Sequence, residues 1–243
     1  MTTPYLLGVD LAQRSDFTAI ALLERGAQAN SVFGGTTPTW DVTALDRTQH
    51  TSYEVICDRV ARLMGSDKLR PKRIAPGGRW RTVAQTTLVV DSTGVGGPVV
   101  DMLRRRGLSP VEVLITGGVD PVEMSHTSWR VPKRDIVLAV QLAMENRALR
   151  VAEGLPHAET LKQELQDFRY KLDPITAHDS YGAWRVGQHD DLVLAVALPL
   201  WYAPNQPVGA TFGNYLRDPE PESEWHPDSI YHEDHPRNPY RQG

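Results

Sequence analysis

Tyr5–Glu24, reading YLLGVDLAQRSDFTAIALLE, decides how the rest of the chain is read. Two apolar runs, Tyr5–Val9 and Phe17–Leu23, flank a polar link that holds Asp10 and Asp16. This is the pattern of a hairpin whose first strand ends in a carboxylate. An acid delivered at the end of a buried strand must be placed in a site or neutralised, because an unpaired charge beside a core is costly. Two later stretches repeat the arrangement. Thr87–Val90 is a short apolar run ending in Asp91, and Gly187–Leu200 sets His189, Asp190 and Asp191 before an apolar helical run. Three carboxylates from distant parts of the chain are therefore expected to meet, with a divalent metal making the meeting tolerable.

The 243 residues suit one large domain or one domain with appendages, and 40% hydrophobic residues suffice for a core. No apolar stretch approaches the roughly 20 residues of a membrane span. The N-terminus, MTTPYLLGVD, lacks the basic region and cleavage site of a signal peptide. A soluble protein without a membrane partner is expected. The single cysteine, Cys57, excludes an internal disulfide framework and a cysteine-based zinc site, which points to a reducing compartment. Its reading is a small buried residue on a helix.

The net charge of -4 is unevenly spread. From Ala203 onward seven acids face three arginines, which accounts for all of it and leaves the first 202 residues neutral. Within those, Lys68–Arg81 holds six basic residues and no acid, and Lys133 and Arg134 open a later helix. Such local patches matter more for phosphate binding than the total does.

Taken in order, strands are expected at 5–10 and 17–24, with a third somewhere between Ala29 and Val42. Ser52–Met64 has helical spacing and stops at Gly65. KLRPKRIAPGGRWR then reads as a solvated linker, an inserted hairpin or a phosphate-contacting loop with Trp80 free to stack. Thr86–Asp91 is the central strand, 95–106 a helix stopped by Gly107, and 111–115 a further strand. Gly117–Pro132 reads as a long connection, of a length that often carries function. Helices follow at 133–146, 156–170 and 190–201, the last kinked or ended near Pro199, with a short strand at 148–151 and a hairpin at 171–186. Residues 203–243, rich in Pro, Asp, Glu and His, read as an extended tail beyond a domain of residues 1–202.

An antiparallel start, alternating strands and helices, and acids at two strand ends and on a closing helix describe an α/β fold of the ribonuclease H-like kind, a central mixed sheet flanked by helices. Over Tyr5–Trp201 the chain resembles the nuclease domain of the large terminase subunit of tailed bacteriophages. GVDLAQRSDFTAIALL is similar to that family's first acidic motif, LVVDSTGVGGPVVDMLRRRG to its second and QHDDLVLAVALPLW to its third. WRVPKRDIVLAVQL and LKQELQDFRY resemble its linking helices. The resemblance implies a metal-dependent endonuclease of double-stranded DNA, a hydrolase using two Mg²⁺ or Mn²⁺ ions to cleave concatemers during viral genome packaging. It implies Asp10 as the ligand bridging both metals, Asp91 as a ligand to one, and Asp191 as a ligand from the last helix.

Other acids have two readings each. Asp190 serves as a further ligand or as the cap of the last helix, and Asp16 as a ligand or as a turn acid. His189 is an auxiliary candidate or incidental. Arg79, Arg81, Lys133 and Arg134 are the candidate DNA contacts. The glycines after Asp91 could present amides to a phosphate, but no GK[ST] pattern occurs, so either this is a nuclease domain on its own or the packaging ATPase is a separate polypeptide. A small terminase subunit and a portal would complete the partners, in the cytoplasm of the infected bacterial host. Two rivals remain: an actin-like or sugar-kinase-type ATP-binding enzyme on the same fold, which would want a second Gly-rich loop, and a catalytically silent packaging scaffold.

Overall fold

The structure, a computed structural model, describes residues 3–11, 16–29, 36–75, 80–94, 96–170 and 190–205. The chain opens as an antiparallel meander, β1 (Tyr5–Asp10), β2 (Phe17–Ala29) and β3 (Thr36–Gln49), followed by α1 (Tyr53–Met64). A small hairpin, β4 (Lys72–Ile74) and β5 (Arg81–Val83), precedes β6 (Thr86–Asp91) and α2 (Gly96–Arg105). Then come β7 (Val111–Thr116), β8 (Val122–Ser125), β9 (Ser128–Pro132), α3 (Lys133–Glu145), β10 (Leu149–Val151), α4 (Ala158–Tyr170) and α5 (Asp191–Tyr202).

Eight of these strands form one mixed sheet in the order β10-β3-β2-β1-β6-β7-β9-β8. β1, β2 and β3 pair antiparallel, whereas β6 joins β1 in parallel and β7 joins β6 in parallel. This is the α/β fold expected from the sequence, a central mixed sheet flanked by helices. β1 and β6 sit at its centre, covered on both faces, so YLLGVD and TTLVVD are almost wholly buried.

The alternation of side chains along a strand divides the core in two. Leu7, Val9, Leu88 and Val90 face α1 and α2, packing on Ile56, Cys57, Val60, Val99, Val100 and Leu103. Leu6, Ala19, Ala21 and Val89 face the other way, toward α3, α4 and α5. Cys57 is thus the buried small residue its sequence context suggested. Helix α1 begins where Ser52 accepts from the Val55 N–H and ends at Gly65. Helix α5 is buried at every position from Asp191 to Tyr202, as an all-apolar helix between a sheet and other helices must be.

Two expectations are corrected. The third strand runs well beyond Val42, pairing with β2 through Gln49. Residues 117–132 are not a long loop: β9 pairs in parallel with β7, and β8 pairs antiparallel with β9 as the outer strand. The alternation Ser128-Trp129-Arg130-Val131 carries the reason, since Val131 is fully buried and Trp129 packs edge-on against Trp201 at 5.7 Å. Helix α5, Asp191–Tyr202, matches the expected 190–201 to within a residue and does not end at Pro199. The stretch 68–81 contains the inserted hairpin that was one of its readings. The hairpin read at 171–186 and the tail beyond 205 lie outside the described residues.

Candidate metal centre

The candidate site is a row of residues across the sheet. Asp10 pairs with Ala19 between β1 and β2, and Ala19 pairs with Arg47 between β2 and β3. On the other side of β1, Val9 pairs with Val90, which puts Asp91 beside Asp10 at the end of β6. Directly paired residues point to the same face, so Arg47, Ala19, Asp10 and Asp91 all face α5. The alanine matters. Ala19 is fully buried and small, leaving room for the start of α5 between the arginine and the acids.

Helix α5 reaches that room because Gly8 lets it lie directly on β1. A Cβ at Gly8 would stand 1.9 Å from the Ala195 carbonyl oxygen and 2.8 Å from Cδ of Pro199. Pro199 has no N–H to give Ala195, so the contact falls where the helical hydrogen bond is missing. From Gly8 to Asp10 the strand advances about 7 Å, and from Ala195 back to Asp191 the helix retreats about 6 Å. Asp191 therefore arrives near Asp10.

Asp10, Asp91 and Asp191 are all buried, and the electrostatics follow from their proximity. Burial pushes the Asp10 carboxyl well above the usual range, and the charges of Asp91, Asp191 and Asp190 push it further. The side chain of Asp91 beside it pushes Asp10 further in the same direction. Burial also raises Asp91, against the Thr93 hydrogen bonds, the Asp10 side chain and the Lys133 ammonium. The Thr93 N–H donates to Asp91 Oδ1 at 2.7 Å. That amide of the loop after β6 is thus turned back onto the carboxylate.

The other two acids have cationic neighbours. Arg47 Nη2 donates to Asp191 Oδ2 at 2.9 Å, and its guanidinium lies 3.8 Å from the centre of the Phe17 ring. Lys133 Nζ stands 3.4 Å from Asp190 Oδ2. Asp190 precedes α5 without making a side-chain cap. The capping is done by Glu164 of α4, whose Oε2 accepts from the Leu192 and Val193 N–H groups at 3.0 and 3.2 Å. Burial raises the Glu164 carboxyl to about 7, against the pull of the Val193 amide and Arg47.

The donor set fits a hard divalent cation in kind: every candidate ligand is a carboxylate, and Asp10 carries a repulsion that a cation would relieve. Among the described residues, no group of three His, Cys, Asp or Glu side chains is already disposed around an ion position. Asp191 is drawn to Arg47 and Asp190 to Lys133.

The remaining sequence candidates are placed as follows. Asp16 is exposed in the bend entering β2. Lys133 belongs to the site itself, through Asp190 and Asp91. Arg134 donates to the Val119 carbonyl and to Asp135. Arg81 lies on β5, which leads into β6 from the end opposite Asp91; Trp80 beside it is exposed, under Arg73. His189 and Arg79 lie outside the described residues. Sequence reasoning missed Arg47 and Glu164. Glu164 sits within LKQELQDFRY, a segment given no site role, whereas nothing in the sequence around Arg47 distinguishes it from the other arginines.

By sequence, no protein family and no curated protein matches the chain. Among solved structures, the large terminase nuclease from thermophilic phage G20c shares 18% identity over 84% of this chain and 82% of that one, with a TM-score of 0.47. The human cytomegalovirus terminase nuclease domain, soaked with Mn, shares 12% identity over 83% of this chain and 84% of that one, with a TM-score of 0.45. A second structure of the cytomegalovirus domain shares 14% identity over 82% and 84%, with a TM-score of 0.39. The chain is thus similar, along most of its length, to terminase nuclease domains of a phage and of human cytomegalovirus.

Proposed function

We propose that this chain is a metal-dependent endonuclease that hydrolyses phosphodiester bonds of double-stranded DNA, cutting concatemers during phage genome packaging. One observation carries the reading: Asp10, at the end of β1, stands beside Asp91 at the end of the parallel β6, buried and pressed by the charges of Asp91, Asp191 and Asp190. Groups so perturbed, and converging from three elements at the carboxyl ends of parallel strands, are typical of a working site. The five family-like segments of the sequence point the same way.

Asp10 and Asp91 would hold the metal, Mg²⁺ or Mn²⁺, with Asp191 as third ligand and Asp190 in reserve. Two such ions would supply an activated water and stabilise the leaving oxygen. The chain's own groups prepare that site. The Thr93 amide fixes the Asp91 carboxylate, and Arg47 and Lys133 hold the two acids at the start of α5.

DNA would approach the edge where β1 and β6 end. Lys133 and Arg134, the first residues of α3, are the nearest candidate contacts, and Arg81 on β5 would meet the duplex farther away; Arg79 is proposed as a further phosphate contact. Binding dominated by phosphate contacts falls steeply with salt. Residues 1–202 form the nuclease domain in this reading. The acidic segment 203–243 is a docking or inhibitory tail for packaging partners: a separate ATPase, a small terminase subunit and a portal in the bacterial cytoplasm.

The test is conversion of supercoiled plasmid to nicked and linear forms with Mg²⁺, Mn²⁺ or EDTA, comparing the wild type with Asp10→Asn and Asp191→Asn. Cutting that needs metal and vanishes in both variants is expected. Inactivity with either metal, accompanied by ATP hydrolysis, would replace the reading with the kinase-like one.

A further inference from the structure

Glu164 does more than cap a helix. Its two oxygens face different groups: Oε2 takes the Leu192 and Val193 amides, while Oε1 stands 3.6 Å from Nη2 of Arg47, the same nitrogen that holds Asp191 Oδ2 at 2.9 Å. All three charged side chains are largely sequestered, with exposures of 13% for Arg47, 6% for Glu164 and 8% for Asp191. Phe17 closes the guanidinium from one face. Leu161 and Leu165, on the adjoining turns of α4, are buried against the α5 cluster and fix where Glu164 stands.

Resting on the metal-dependent reading above, we propose that Glu164 is a positioning residue that neutralises Arg47, so that Asp191 is held in place by the guanidinium yet keeps its charge for the metal. One guanidinium lies between two carboxylates, so the trio carries a net negative charge. Without Glu164's charge, Arg47 alone would cancel Asp191, and a cation arriving at Asp10 and Asp91 would gain little from the third acid. Charges this poorly hydrated act strongly over a few ångströms. Outer groups that orient and tune a ligand commonly change metal affinity about 10- to 100-fold when removed. The division of labour also explains why the cap of α5 comes from another helix while Asp190, next to the site, is left to Lys133.

The experiment is a charge cycle read by Mn²⁺ binding, using the electron paramagnetic resonance of free Mn²⁺, on the full chain without DNA at pH 8.5. Glu164→Gln keeps a side-chain oxygen for the two amides but loses the charge. It is expected to weaken Mn²⁺ binding about 10-fold, with the thermal midpoint unchanged or raised. Arg47→Gln removes both the positive charge and the hold on Asp191, so the reading is taken from the cycle: the loss caused by Glu164→Gln should shrink to less than about 2-fold once Arg47 is already Gln, because no guanidinium remains to be neutralised. Wild-type affinity in Glu164→Gln, or an undiminished loss on adding Glu164→Gln to Arg47→Gln, would each overturn the inference while leaving the nuclease reading intact. A wild-type protein that binds no Mn²⁺ would remove the metal reading and this inference together.

Discussion

Gly8 on β1 and Ala195 on α5 are packed so closely that a Cβ at Gly8 would fall 1.9 Å from the Ala195 carbonyl oxygen. That oxygen is backbone and cannot swing aside. Gly8→Ala must therefore lift α5 from the sheet, at a cost of about 3 kcal/mol, the upper end of what an extra methyl imposes on a packed core. Because Asp191 begins the same helix, metal-dependent cutting should be lost even where the variant is still fully folded. Urea unfolding and plasmid cleavage on one preparation would check both effects.

Asp10→Asn separates stability from function. The buried Asp10 carboxyl is held well above the usual range by burial and by three neighbouring acids, so its ionised form weakens the metal-free fold. An amide in its place should stabilise that fold at pH 8 while abolishing cleavage. Calorimetry with and without Mg²⁺ tests the other half. Metal should raise the wild-type midpoint, as any ligand of the folded state does, and should barely move the variant.

The pH dependence of stability carries Glu164's signature. Its carboxyl is raised from 4.5 to about 7 in the folded chain, so the folded state binds the proton more tightly than the unfolded one. The unfolded chain ionises first as pH rises, and stability falls between about pH 4.5 and 7 before levelling, by up to about 3 kcal/mol. Asp10 and Asp91 add slopes of the same sign. Denaturant midpoints of wild type and Glu164→Gln should therefore diverge across that window, the wild type losing more.

Lys133 can be assigned by kinetics. Its ammonium is one of the influences that lower the Asp91 carboxyl, and it pairs with Asp190. Lys133→Ala should move the acid limb of the cleavage profile to higher pH. A residue acting only on DNA phosphate would instead raise KM and reduce the salt dependence with the profile unmoved.

Much of this site was legible because strands and helices advertise themselves locally. YLLGVD and TTLVVD show a buried run ending in an acid, and DLVLAVALPLWY shows a helix too apolar for any surface. Residues 117–132 misled because β8 is exposed throughout and β9 has only five residues, so the periodic signal was short. Arg47 was invisible for a different reason. It lies 144 residues from Asp191, and its role comes from a register across β1, β2 and β3 that no local pattern records.

The sequence by itself determined which elements form and which acids end them, since hydrophobic period and chain-terminal charge are local properties. The tertiary structure decided what those acids meet. The row Arg47, Ala19, Asp10, Asp91 exists only once the strands are paired, and Asp191 joins it only because Gly8 admits α5. Charge interactions depend on distances in space, and those distances are set by packing between segments far apart in the chain.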